Sequence, residues 1–183
     1  LRYDMIKFGL RNSLLTTIMP TASSAHILGN MEAVEPFTEL IYARTVLSGQ
    51  FLIINKHLIR DMEEINMWNP DTVEKIIAHR GSISEIYPPL SANGKIVERL
   101  NFLKLKYATV FEIPQKTLLE LAADRGVNID QTQSQNCFMS RPTKKKLNAY
   151  FFHAWQLGLK TGMYYLRQKA LTDPINFTMN TTM

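Results

Sequence analysis

One stretch of the chain, residues 19–30, has the residue types that suit binding of a phosphate group. After Pro20 the side chains become small and hydroxylic, in the order Thr21, Ala22, Ser23, Ser24. A turn of small residues before a helix directs free backbone N–H groups at one point, where they bind anions. Serines in this position more commonly cap the helix. The residues alone therefore leave two interpretations open, a phosphate site and a helix cap.

Two adjacent tyrosines, Tyr164 and Tyr165, form the second set of residues with usable chemistry. A phenol can surrender an electron and a proton together, and it is neutral at physiological pH because its pKa is near ~10. Most tyrosines in strands supply packing area, and adjacent strand residues point to opposite faces. A stacked pair therefore requires that the two residues lie at a strand end or in a distorted segment.

The composition indicates one globular domain of 183 residues, of which 45% are apolar. No run of 18 or more apolar residues occurs, so we expect no membrane span. The single cysteine, Cys137, excludes an internal disulfide framework and is typical of a cytoplasmic protein. The net charge of +5 is modest and does not distinguish phosphate ligands from solubility.

The remaining histidines and lysines give weaker signals. The four histidines have no metal-site spacing, and His26, beside the small-residue turn, is expected to pack on a helix or face solvent. Lys144, Lys145 and Lys146 directly precede an aromatic-rich segment. Basic residues next to aromatic ones can bind nucleic acid, but three lysines before a helix more often form a solvated loop. We therefore predict no metal and no nucleic-acid partner.

Helical and strand patterns alternate along the chain, which predicts an α/β architecture. The predicted strands are residues 13–19, 42–46, 50–54, 136–139 and 163–166. The predicted helices are residues 2–10, 25–28, 56–68, 73–78, 96–107, 114–124 and 147–159. The turn at residues 47–49 is expected to join a hairpin, and Asp71 or Thr72 is expected to cap the fourth helix.

Several long, ungapped sequence motifs occur in the same order as in one enzyme family, which the chain resembles. They include Arg-Asn-Ser-Leu-Leu at residues 11–15, Met-Pro-Thr-Ala-Ser-Ser at 19–24, Ile-Leu-Gly-Asn at 27–30 and Gly-Leu-Lys-Thr-Gly-Met-Tyr-Tyr-Leu-Arg at 158–167. The chain resembles, over nearly its whole length, the large catalytic chain of class I ribonucleotide reductases of the eukaryotic and large-DNA-virus type. The resemblance implies that residues 1–183 are the C-terminal part of a ten-stranded α/β barrel.

The same resemblance implies roles for particular residues. Thr21, Ala22, Ser23 and Ser24 would hold the diphosphate of a ribonucleoside diphosphate substrate. Tyr164 and Tyr165 would relay an oxidising equivalent from a small subunit toward an active-site cysteine. The family's catalytic cysteines lie upstream of Leu1, so Cys137 is expected to be a buried small hydrophobe.

The resemblance also implies partners. These are a small subunit with a di-iron centre and tyrosyl radical, a dithiol reductant of thioredoxin or glutaredoxin type, and a second large subunit in a homodimer. No cofactor is expected in this chain. Residues 150–159 would form part of a groove for the tail of the small subunit, with the three lysines meeting an acidic tail.

The expected reaction is radical removal of the ribose 2′-hydroxyl, in the cytoplasm, for synthesis of DNA precursors. The segment alone is expected to catalyse nothing. An alternative is a non-catalytic module, a split or relic form that serves as a nucleotide-binding or assembly partner.

Overall fold

The computed structural model describes residues 1–11 and 14–169, and within these residues helices and short strands alternate as predicted. The helices are α1 (Arg2–Phe8), α2 (Ser24–Ile27), α3 (Lys56–Glu63), α4 (Pro70–Ala78), α5 (Gly94–Lys106), α6 (Gln115–Gly126) and α7 (Lys144–Gln156). The strands are β1 (Ile41–Val46), β2 (Gly49–Ile54), β3 (Cys137–Met139) and β4 (Leu166–Gln168). The described residues divide into two compact units, one of residues 1–35 and 113–169 and one of residues 36–112.

The first unit packs α6 and α7 with a parallel pair of strands, β3 and β4. Cys137 pairs with Leu166 and Met139 with Gln168 in this ladder. Its buried cluster comprises Leu119, Cys137, Tyr150 and Ala154. Strand β4 begins at Leu166, three residues later than the start predicted at residue 163. The tyrosine pair therefore directly precedes the strand.

The strand predicted at residues 13–19 is wrong for the part that the structure describes, and its first residue lies outside the described residues. Only one parallel bridge forms there, between Ile18 and Gln133. The carboxylate of Asp130 accepts the N–H groups of Leu15 at 2.9 Å and Thr16 at 3.1 Å. These two donors are therefore satisfied by a side chain instead of a neighbouring strand. Leu15, an apolar residue of this predicted strand, is 70% exposed.

The second unit begins with the predicted hairpin. Strands β1 and β2 are antiparallel, from the pair Ile41–Ile54 to the pair Val46–Gly49. Gly49, with φ of 139°, permits the tight connection that a residue with a Cβ rarely adopts. Hairpin pairing was predictable because a turn with glycine separates two short apolar runs.

Asparagine side chains begin the three helices of the second unit. Asn55, Asn69 and Asn93 each accept backbone N–H groups from the first turn of α3, α4 and α5. The predicted cap of α4, Asp71 or Thr72, is wrong because Pro70 fits the first helical position and the helix starts earlier. Helix α3 ends at Glu63, not at residue 68, because the chain turns into the left-handed region at Asn66, with φ of 54°.

The core of the second unit consists of the apolar faces of its helices packed on the hairpin. Leu58 and Met62 of α3, and Leu100 and Leu103 of α5, are buried at the predicted spacing. Gly81 is required at its position, since its φ is 74° and a Cβ there would lie 2.8 Å from the carbonyl oxygen of Ile41.

A buried carboxylate, Asp61, joins α3 to α5 within this core. It accepts hydrogen bonds from Lys106 Nζ at 2.5 Å and from the Tyr107 hydroxyl at 2.8 Å, and it is 1% exposed. The hydrogen bond from Lys106 is the main cause that lowers the pKa of Asp61 from 3.8 to about 2. A buried charge is stable only with such partners.

We expect Asp61→Asn to lower the free energy of unfolding by about 2 kcal/mol, less than for a fully enclosed pair because Lys106 is 40% exposed. The pKa of Asp61 is lower in the folded state, so its contribution is complete above the ordinary pKa of 3.8 and is lost as pH falls toward about 2. Urea denaturation at a series of pH values measures both effects. The asparagine variant should lack this pH-dependent component.

Glu64→Gln, which removes an exposed pair with Arg99, is the control and should change stability little. Equal stability of Asp61→Asn and wild type would contradict the prediction.

Candidate functional site

The small-residue turn before α2 has an open and unusual backbone. Thr21 has φ of 51°, a left-handed conformation that is uncommon for a residue with a branched Cβ. Its Oγ1 accepts the N–H of Ala33 at 3.1 Å, and its carbonyl accepts the N–H of Ala25 at 2.9 Å. These two bonds fix the turn. The side chains at positions 21–24 are all exposed, so a ligand can reach them.

The interpretation of this turn as a side-chain cap is not supported by the geometry. Ser23 occupies the N-cap position of α2, but its side chain makes no cap hydrogen bond. Among the described residues, none accepts a hydrogen bond from the N–H groups of Ala22, Ser23 or Ser24. Three backbone donors and two serine hydroxyls are thus left for solvent or a ligand. Such a set of donors can bind an anion.

His26 lies on α2 beside this turn and faces an acidic side chain. Its Nε2 is 3.7 Å from Glu32 Oε1, and its side chain is 24% exposed. The prediction that His26 packs on its helix or faces solvent is therefore correct in part: the ring is mostly covered and lies next to Glu32.

The second candidate pair, Tyr164 and Tyr165, has its rings in contact. The ring centroids are 4.2 Å apart and the planes are inclined at 53°. The pair lies immediately before β4, which is the strand-end position that stacking was predicted to require. The two residues are 53% and 50% exposed. The hydrogen bond with Tyr165 is the main cause that raises the pKa of the Tyr164 phenol.

Backbone hydrogen bonds hold the tyrosine pair on the segment that leads into β3. The N–H of Tyr164 donates to the carbonyl of Gln135 at 2.7 Å, and the N–H of Cys137 donates to the carbonyl of Tyr165 at 2.8 Å. Gly162 lies against α7, since a Cβ there would be 3.2 Å from both Ala154 Cβ and Phe151 Cδ1. A larger residue at position 162 would push the segment away from the helix.

One segment, residues 131–137, forms hydrogen bonds both with the chain before the turn and with the tyrosine pair. Residues 131–134 bond the segment before the turn, through Gln131 N–H to Thr16 O at 3.1 Å and Ser134 N–H to Ile18 O at 3.2 Å. The next residues of the same segment bond the tyrosines. This arrangement was not evident from sequence, because more than a hundred residues separate Thr16 from Gln131.

Two polar residues, Glu35 and Asn136, were not predicted from the sequence. The Glu35 carboxylate accepts hydrogen bonds from Asn136, and the Asn136 side chain accepts the backbone N–H of Tyr165. No motif or spacing indicates them, since they are 101 positions apart. Only their contact in the folded chain reveals the pair.

Cys137 is fully buried, as predicted, in the cluster of the first unit. Burial raises the pKa of its thiol to about 11. A thiol that is neutral and enclosed is a poor nucleophile. The residue therefore acts as a small core side chain.

A groove with a cavity of about 590 Å³ lies between α6, β3 and α7. Its floor is apolar, with Leu119, Phe138 and Met139, and its lining also includes Lys116, Arg141 and Lys146. Of the three lysines at the start of α7, only Lys146 lines the groove.

Residues 1–11 and 14–169 contain neither a candidate metal-ion site nor a helix that could span a membrane. No group of three or more His, Cys, Asp or Glu side chains there is arranged to hold a metal ion. In that same part of the chain, no helix has the length and apolar character needed to cross a membrane.

Comparison with known families and structures identifies the class of protein. The family model described as "Ribonucleotide reductase, barrel domain" matches residues 1–165. The chain therefore belongs to the ribonucleotide reductase barrel-domain family, and its alternating helices and strands are part of an α/β barrel fold.

Individual relatives carry more specific names. The chain is 48% identical over 180 residues to the ribonucleoside-diphosphate reductase large subunit of Trypanosoma brucei brucei, covering 98% of this chain and 20% of that protein. It is 49% identical over 173 residues to the large subunit of vaccinia virus (strain Copenhagen), covering 94% and 21%. Among solved structures, the Actinobacillus ureae class Id ribonucleotide reductase alpha subunit matches with a TM-score of 0.67 and 28% identity, covering 91% of this chain and 28% of that one. The chain thus spans about a fifth of the length of these curated relatives.

Proposed function

We propose that this chain is part of the large subunit of a ribonucleoside-diphosphate reductase, in which it binds the substrate diphosphate and relays a radical. The observation that carries the proposal is the contact of the Tyr164 and Tyr165 rings, 4.2 Å apart, in a chain whose relatives bear this enzyme's name. The reaction replaces the ribose 2′-hydroxyl by hydrogen, and a dithiol reductant supplies the two electrons. The small subunit would generate the initiating radical with its di-iron centre.

The tyrosine pair suits transfer of a hydrogen atom. One neutral phenol gives an electron and a proton together to the phenoxyl radical of its partner. The donor becomes a neutral phenoxyl radical, and the acceptor becomes a phenol. A phenol is already neutral at physiological pH, because its ordinary pKa is near ~10. Ring contact at 4.2 Å makes the step between the two residues short.

The turn of residues 21–24 suits the diphosphate. The free N–H groups of Ala22, Ser23 and Ser24 would donate to phosphate oxygens, and small side chains let these oxygens approach the backbone. Because these donors would contact only phosphate oxygens, selectivity for the rest of the nucleotide would come from other residues.

The groove between α6 and α7 suits an extended peptide with apolar and acidic residues. We assign it to the tail of the small subunit, because its floor is apolar and its lining carries Lys116, Arg141 and Lys146. We also place the enzyme in the cytoplasm as a large-subunit homodimer. The single free and buried Cys137 accords with a reducing compartment.

The radical role predicts that Tyr164→Phe and Tyr165→Phe in the full-length large subunit each lower kcat by about 100-fold or more, the range that a lost proton transfer costs. Phenylalanine keeps the ring contact but has no hydroxyl hydrogen to give up. Substrate affinity should stay unchanged. Tyr87→Phe, at another exposed tyrosine, is the control and should keep wild-type turnover. Normal turnover of either variant at positions 164 and 165 would refute the relay.

The phosphate role predicts that Ser24→Asp weakens nucleoside diphosphate binding by about tenfold or more, since a carboxylate repels phosphate at short range. Equilibrium binding of a labelled diphosphate to the full-length subunit measures the change. Ser24→Thr retains the hydroxyl and should bind normally. Ser48→Asp adds the same charge in the hairpin turn and should have no effect. If Ser24→Asp binds as tightly as wild type, the diphosphate lies elsewhere.

The groove role predicts that Lys146→Glu weakens small-subunit binding by about threefold to tenfold, because one exposed charge contact is lost and a repulsive one is added. Lys144→Glu makes the same charge change at the start of the same helix but outside the groove, and it should have the smaller effect. The large subunit is titrated with labelled small subunit at two salt concentrations. Salt weakens the electrostatic contribution to binding, so the comparison separates it from the contribution of apolar packing. Equal effects of the two variants would assign the interaction to the overall charge and not to the groove.

A further inference from the structure

A carboxylate and an amide, Glu35 and Asn136, form a bonded pair directly beside the tyrosines. Glu35 Oε1 accepts the backbone N–H of Asn136 at 2.8 Å, and Glu35 Oε2 accepts its side-chain Nδ2–H at 3.2 Å. On the other side, Asn136 Oδ1 accepts the backbone N–H of Tyr165 at 3.1 Å. The two side chains thus link the segment after α2 to the tyrosine pair.

The donor and acceptor roles in this chain of bonds are fixed by chemistry. An ionised carboxylate only accepts hydrogen bonds, so the Asn136 edge that faces Glu35 must be the NH₂ group. The amide oxygen must then point away from Glu35, which is toward the N–H of Tyr165. Glu35 therefore determines the orientation of the Asn136 amide, and the amide determines the position of the Tyr165 backbone.

The surroundings make these bonds effective. Asn136 is 8% exposed, so little water competes for its side chain. Glu35 is half-buried; burial raises the pKa of its carboxyl, whereas the two hydrogen bonds from Asn136 and the nearby Arg167 favour the ionised form. A carboxylate kept partly out of water needs the Asn136 donors, and this dependence holds the pair together.

We propose that Glu35 and Asn136 are positioning residues that hold Tyr165 in ring contact with Tyr164. This inference rests on the proposed radical function of the tyrosine pair and adds two residues that act through the backbone of Tyr165. If the amide turned over, its NH₂ group would face the N–H of Tyr165, and the residue would lose its anchor on that side.

Two single substitutions break the bond pattern in opposite ways. In Glu35→Gln, the new NH₂ group faces an N–H donor of Asn136 in either orientation of the side chain, so one of the two bonds is lost. Where it faces the NH₂ group of Asn136, that amide turns and releases the N–H of Tyr165. In Asn136→Asp, two carboxylates face each other and repel. Each variant, in the full-length large subunit with its small subunit, should lower kcat by about tenfold or more, as a small misplacement of a reacting group does. The KM for the nucleoside diphosphate should not change.

The double variant, Glu35→Gln with Asn136→Asp, exchanges the roles and restores every bond. The new amide at position 35 would accept the backbone N–H of residue 136 through its oxygen. Its NH₂ group would donate to the new carboxylate at position 136, whose other oxygen accepts the N–H of Tyr165. We expect turnover to recover to within about threefold of wild type, a non-additive result that a general loss of packing does not give. Hydrogen exchange at the Tyr165 amide should be fast in both single variants and slow again in the double variant.

The controls distinguish this inference from the proposed function. Glu98→Gln, at an exposed glutamate on α5, should keep wild-type kcat. Wild-type kcat in both single variants, with turnover lost in Tyr165→Phe, would refute the positioning role and leave the relay intact. Normal turnover in Tyr165→Phe would instead refute the relay itself. If the single variants fold poorly, the double variant decides: an inactive double variant that folds would also refute the positioning role.

Discussion

One backbone segment, residues 130–137, is the constraint on which the first unit depends. Its residues Gln131 and Ser134 form backbone hydrogen bonds with the chain before the turn of residues 21–24. Its residues Gln135 and Cys137 form backbone hydrogen bonds with the tyrosine pair. Backbone bonds of this kind tolerate little displacement, because each donor and acceptor taken from water must keep its partner. A shift of this segment would move both proposed sites together. The two sites are therefore parts of one rigid arrangement, although they are distant in sequence.

Glutamine side chains hold the short strand β3, and the segment before it, against helix α6. Gln133 Nε2 donates to the carbonyl of Ala122 at 2.6 Å, and Gln135 Nε2 donates to the carbonyl of Leu118 at 3.2 Å. Residues two apart in extended chain point to the same face, so both glutamines reach α6. On β3, the N–H of Phe138 donates to the side chain of Gln115, at the start of the same helix. These polar links to α6 add to the apolar packing of Cys137 in the cluster with Leu119.

The sequence predicted most of the local secondary structure but few of the contacts between residues that are distant in the chain. The helices were found because apolar residues recur at helical spacing, and the hairpin was found because a glycine turn separates two apolar runs. The strand at residues 13–19 failed because Asp130, more than a hundred positions away, takes its backbone donors. The same reason hid Glu35 and Asn136, since a bond between side chains 101 positions apart leaves no pattern in either local sequence. The residues left the phosphate turn as one of two interpretations, and its role and that of the tyrosines were assigned from a resemblance. For the tyrosines, the residues indicated only that ring contact requires a strand end or a distorted segment.

The charge beside the tyrosines constrains how they can be oxidised. The guanidinium of Arg167 lies 4.9 Å from the centroid of the Tyr165 ring. Loss of an electron alone would place a positive charge on that ring next to a fixed positive charge, which costs electrostatic energy. Loss of an electron with a proton leaves the ring neutral and avoids this cost. Because both tyrosines are about half exposed, solvent can reach them. The position of Arg167 thus favours coupled transfer over simple electron transfer at this residue.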